Sequence, residues 1–219
     1  DTPLYADMIR DLDDIGVKGF RPLPTNSNLK LPLPDGRTLK TDATLHKREL
    51  EQLAETGQIG NYDGIFTTYH QMQTVRGKET SRRNFLRQFG KNSLLILDES
   101  HEAGGSMSDR RKAKQDCAPN RADFARELVA DAVGVVYSSA TFAKAPEVMD
   151  LYGRTDMREA VDSMSSLTSM VASGGIPLQQ TLATMLTEAG QYCRRERSFE
   201  GVTFKPAEVA VNQEVAENI

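Results

Sequence analysis

Four apolar residues, Leu94-Leu95-Ile96-Leu97, run straight into Asp98-Glu99-Ser100-His101. No other stretch so narrows the folds open to this chain. An apolar run without polar alternation suits a parallel strand covered on both faces. Open parallel sheets bind ligands at the carboxyl ends of their strands. Asp98 and Glu99 therefore fall where a phosphate-bound magnesium ion would sit. Farther along, Val133-Gly134-Val135-Val136-Tyr137-Ser138 forms a second such run and ends in Ser139-Ala140-Thr141.

The expected chemistry follows from these groups. A hard cation on a nucleotide takes oxygen ligands and keeps several waters, so one carboxylate is enough to hold it. Asp98 is assigned that metal-ligand role. Glu99 follows on the other side of the strand end and can orient an attacking water. Phosphoryl transfer depends on such positioning and on charge neutralisation. An apolar run into Asp-Glu, taken alone, is more often a core strand entering an acidic turn, since short motifs recur by chance. The second strand and its Ser-Ala-Thr ending tip the reading toward a nucleotide site.

Together these two segments resemble motifs II and III of superfamily 2 helicases and translocases. Arg10-Asp11-Leu12-Asp13-Asp14-Ile15-Gly16 is similar to the segment after motif Ia in the strawberry notch family of helicase-like proteins. Phe66-Thr67-Thr68-Tyr69 resembles the motif Ib region of that family, and Arg197-Ser198-Phe199-Glu200-Gly201-Val202-Thr203-Phe204 its stretch after the first motor lobe. The likeness runs from about residue 4 to about residue 211. Ser100 is a mild departure, because the family usually has cysteine or another residue there. The resemblance implies a RecA-like α/β fold, a P-loop NTPase type of parallel sheet flanked by helices. It implies ATP and Mg2+ as cofactors, with Asp98, Glu99 and His101 catalytic and Ser139 and Thr141 coupling hydrolysis to movement. Related bacterial and phage proteins often join this motor to methyltransferase or anti-restriction functions, which implies a bacterial or phage origin.

A larger departure is an absence. No G-x-x-x-x-G-K-[ST] occurs in the 219 residues. Gly36-Arg37-Thr38 falls in an expected turn, and Gly104-Gly105-Ser106 is followed by no lysine. A P-loop supplies the amides and lysine that hold the β- and γ-phosphates. The chain is therefore expected to be a piece of a longer protein, whose remainder holds the P-loop and the second motor lobe. An incomplete first lobe is expected over residues 1–143, with motifs Ia to III. Residues 144–219 are expected to form a helical extension and a strand leading toward that second lobe.

Composition bounds the partners. Net charge is −4 at pH 7 and mean hydropathy is −0.49. Such a chain grips nucleic acid only through local patches. Arg110 and Arg111, in the polar stretch after motif II, are the favoured patch for DNA, with RNA as the other candidate. Thr67, Thr68 and Tyr69 have hydroxyls suited to sequence-independent phosphate contacts, although Thr and Tyr are equally ordinary strand formers. No apolar run has the length of a membrane span. Cys117 and Cys193 have no metal-ligand spacing, and a reducing cytoplasm is the default.

Periodicity supplies the remaining elements. A helix is expected over 4–15, stopped by Gly16, and a β-hairpin over 29–41, turning at Asp35-Gly36. A helix over 44–55 and a buried strand over 63–68 follow, then a basic helix over 80–89 and the strand 93–98. Residues 104–120 are expected to be a mobile loop. Asn120 should cap a helix to about residue 132, with strand 133–138 after it. Helices are expected over 144–153, 156–172 and 177–196, with Gly174-Gly175 between the last two, and a final strand over 202–211. Methionines of these helices are most simply packing surface.

Three functions compete at this level. One is an ATP-dependent helicase or translocase motor, of which this segment alone would be inactive. A second is a scaffold that binds nucleic acid or protein through a degenerate lobe. A metal-dependent nuclease using Asp98 and Glu99 lacks further clustered carboxylates.

Overall fold

The computed structural model describes residues 4–33, 35–103, 119–140, 146–159, 161–193 and 201. Helix α1, Leu4–Asp14, buries Tyr5 and Ile9, one helical turn apart on one face. It ends where Gly16 takes φ +95 and the Val17 amide bonds the Leu12 carbonyl. Strand β1, Pro22–Pro24, then pairs in parallel with β4, Gly64–Phe66. Two prolines in three residues are unusual in a paired strand. Register explains the exception. The Thr25 amide bonds the Phe66 carbonyl, and Arg21 accepts from the Asp63 amide. By alternation the prolines turn their missing N–H groups away from β4.

Between these strands lies the expected hairpin, β2 (Lys30–Pro32) antiparallel to β3 (Thr38–Lys40). Helix α2, Ala43–Thr56, is capped by Asp42, whose carboxylate accepts from the Thr44 and Leu45 amides. Gly57 closes it in the left-handed region at φ +66. A 3-10 turn, Tyr69–Met72, follows β4, and α3, Ser81–Gly90, packs against α2.

Strand β5, Leu94–Leu97, pairs in parallel with β6, Gly134–Tyr137, through helix α4, Arg121–Asp131. Asn120 caps α4 through its side chain, as expected. Two expectations about these strands need correction. The strands expected at 63–68 and 93–98 are not buried on both faces. All three residues of β4 are half-buried. Leu95, Leu97, Val135 and Tyr137 turn to the core, whereas Leu94 and Ile96 are each 63% exposed. Hydrophobicity along a strand does not report whether an element packs on its second face. Among the described residues β1–β4 and β5–β6 are separate two-stranded sheets, with no ladder between β4 and β5.

After β6 the helices differ from the periodic reading. Residues Pro146–Tyr152 form a 3-10 helix rather than an α-helix over 144–153. Its buried pairs, Val148 with Leu151 and Met149 with Tyr152, are three apart, the repeat of that helix. A further 3-10 turn occupies Asp156–Arg158. Helix α5, Met164–Glu188, starts only where Ser163 caps it, not at 156. It breaks at Gly175 (φ 55, ψ −147) just before Pro177, as expected. The strand expected over 202–211 and residues 104–118 of the loop expected over 104–120 lie outside the described residues. Leu23, Leu50, Phe85, Leu97, Phe124, Met149, Leu167 and Leu186 belong to one core cluster.

Candidate functional site

The carboxyl ends of β5 and β6 are laced together. The Ser138 amide bonds the Leu97 carbonyl at 2.8 Å, and the Ser100 amide bonds the Ser138 carbonyl at 2.9 Å. These bonds carry the ladder one step past the strands and set Asp98 beside Ser138. The Ser138 hydroxyl donates to Asp98 Oδ1 at 3.1 Å. Ser138 was not singled out in the sequence. Register would have found it, since Leu97 pairs with Tyr137 and the next residue on each strand must be neighbours.

Glu99 occupies the left-handed region at φ 46, ψ 49. Its side chain is 56% exposed, while that of His101 is 12% exposed. His101 Nδ1 lies 2.8 Å from Ser139 Oγ and 3.3 Å from Glu99 Oε2. His101 Nε2 lies 3.2 Å from Glu102 Oε1. One imidazole thus faces two carboxylates and a serine. The neighbouring Ser100 hydroxyl is buried against the Tyr152 hydroxyl at 3.0 Å.

The segment after β4 reaches the same edge. The Tyr69 phenol donates to the Asp98 carbonyl at 2.6 Å. Burial, and secondarily the nearby Asp98 charge, push the Tyr69 phenol above its ordinary value, so it stays a donor. Thr67 Oγ1 accepts from the buried Thr25 hydroxyl at 2.8 Å, and Thr25 in turn accepts Arg82 Nε on its carbonyl at 2.6 Å. Thr68 precedes the 3-10 turn without a side-chain capping bond. Of the expected nucleic-acid contacts, Thr67 and Tyr69 therefore use their hydroxyls within the protein. Thr141, Arg110 and Arg111 lie outside the described residues.

Asp98 is the described residue that could lend a carboxylate oxygen to a magnesium ion carried by a nucleotide. Ser138 engages one carboxylate oxygen and fixes the group in place. Among the described residues no cluster of three or more His, Cys, Asp or Glu could hold a metal by itself. One carboxylate, with phosphate and water oxygens completing the shell, matches how such an ion is usually held. No described helix is long and apolar enough to cross a membrane.

A family model described as "P-loop containing NTP hydrolase pore-1" matches residues 1–218. No curated protein and no solved structure matches the chain.

Proposed function

This chain belongs to the P-loop containing NTP hydrolase pore-1 family, and from that premise we propose that it is part of an ATP-dependent nucleic-acid helicase or translocase. In motif order it resembles the strawberry notch group. Residues 1–143 act as part of the first motor lobe and 144–219 as its helical extension. DNA is the favoured track.

The observation that carries this reading is the joining of two strand ends: Ser138 on Asp98, and Ser139 on His101. A nucleotide-dependent motor needs its hydrolytic turn tied to a second turn that can report movement. Asp98 would hold the magnesium ion, which neutralises phosphate charge when bound. Glu99, with its exposed carboxylate, orients the attacking water. His101 keeps the Ser139 turn in register with the carboxylates. Ser139 and Thr141 pass the state of the site to the nucleic-acid surface.

The test uses the full-length protein. ATP hydrolysis is measured with and without DNA and RNA, alongside displacement of a labelled strand. Nucleic-acid-stimulated hydrolysis with ATP-dependent displacement is expected. Hydrolysis indifferent to both polymers, with no displacement, would overturn the motor reading.

A further inference from the structure

We propose that Tyr69 is a positioning residue for hydrolysis: its phenol holds the Asp98 carbonyl and so sets the turn that presents Asp98 and Glu99. The inference rests on the hydrolytic reading of those two carboxylates.

The reason is backbone geometry. Glu99 sits at φ 46, in the left-handed region that disfavours a residue with a Cβ. Such a conformation persists only when its surroundings over-determine it. On the far side of Glu99 the holds are clear. The Ser100 amide bonds the Ser138 carbonyl, and the Glu102 amide bonds the Glu99 carbonyl at 2.8 Å. The Ser100 side chain is fixed against Tyr152. On the near side, the peptide plane between Asp98 and Glu99 decides φ of Glu99. Rotating that plane swings the Asp98 carbonyl. The Tyr69 hydroxyl grips that carbonyl at 2.6 Å, at the short end of O–H···O distances.

The grip also spans a gap. Tyr69 follows β4, Asp98 follows β5, and no ladder joins those strands among the described residues. The phenol is thus a direct link from the 67–69 segment to the catalytic turn.

Tyr69→Phe keeps the ring and removes one hydroxyl. In the full-length protein, deuterium uptake over 98–103 and ATPase kinetics are measured for this variant, wild type and Glu99→Gln. Faster uptake at Ser100, Glu102 and Ala103 is expected, with α2 and α3 unchanged. kcat should fall about fivefold to tenfold, the worth of one hydrogen bond, with KM for ATP within about twofold. Unchanged uptake over 98–103 would overturn the proposal, as would faster uptake with wild-type kcat. A kcat loss accompanied by faster exchange in α2 and α3 would reduce Tyr69 to a structural residue. If Glu99→Gln turned over like wild type, the hydrolytic reading itself would fail and this role with it. Full loss in Glu99→Gln beside an unaffected Tyr69→Phe would sink the Tyr69 inference alone.

Discussion

His101 Nδ1 lies 2.8 Å from Ser139 Oγ, joining the turn after β5 to the turn after β6. In the proposed motor, this bond would link the hydrolytic turn to the turn that reports movement. Its neighbours, Glu99 and Glu102, put carboxylates on both ring nitrogens.

Ser139→Ala with Thr141→Ala is expected to uncouple the full-length protein. The substitutions remove hydroxyls but little volume. ATP hydrolysis should survive in part, while strand displacement falls by a larger factor. Parallel assays of both activities decide it, and equal losses would mark a purely structural role.

Glu99→Gln and Asp98→Ala should separate turnover from binding. The first removes water positioning and should lower kcat by about 100-fold or more, with nucleotide affinity largely kept. The second removes the proposed magnesium ligand, so magnesium-dependent nucleotide binding should weaken as well. Calorimetric titration beside steady-state kinetics distinguishes them. Near-normal turnover in Glu99→Gln would refute the assignment.

Arg83 is the most deeply buried charge of the described residues, at 0% exposure. Its guanidinium lies 4.1 Å from the Phe124 ring centroid, bonds the Met72 and Pro119 carbonyls, and pairs with Glu79 at 2.9 Å. Arg83→Met leaves those buried carbonyls without their donor and Glu79 with Arg87 as its one remaining ion-pair partner among the described residues. A loss of about 3 kcal/mol is expected, readable by urea unfolding. Arg83→Lys should not restore it, because an ammonium lacks the planar fork. Full rescue by lysine would show that charge alone matters.

Gly57→Ala should cost about 1–2 kcal/mol, since the left-handed cap of α2 puts a Cβ against the following carbonyl. Space is not the cause: the nearest atom to an added Cβ is Gln88 Nε2 at 3.5 Å. An unchanged melting temperature would contradict this.

Tyr62 supplies an alkaline test. Burial first, then its hydrogen bond to Glu49, push its phenol from 10.0 up to about 12. A value raised in the folded state stabilises fully below the unfolded value and is lost as pH rises through the folded one. Melting temperature should therefore drop between pH 10 and about 12. Tyr62→Phe should make that drop shallower, with the other buried tyrosines supplying the remainder. Identical slopes for the two proteins would exclude the contribution.

Local chemistry was legible in the residues themselves. Asn120 announced the start of α4 because caps act within one turn. The Asp35-Gly36 hairpin, the break at Gly175 and the strand ending in Asp98-Glu99 were likewise written in short-range patterns. The family match over residues 1–218 agrees with the nucleotide-hydrolase part of the motif reading. What lay beyond the sequence depended on partners distant along the chain. Pro22–Pro24 became a strand only because β4 lies on the side where no proline N–H is needed. Leu94 and Ile96 are apolar yet exposed, since strand composition carries no information about packing on the second face. Tyr69 had a hydroxyl free for any acceptor in the sequence; the approach of Asp98 in the fold decided which one it took. Ser138 met Asp98 through parallel register, a property of two strands that neither strand specifies alone.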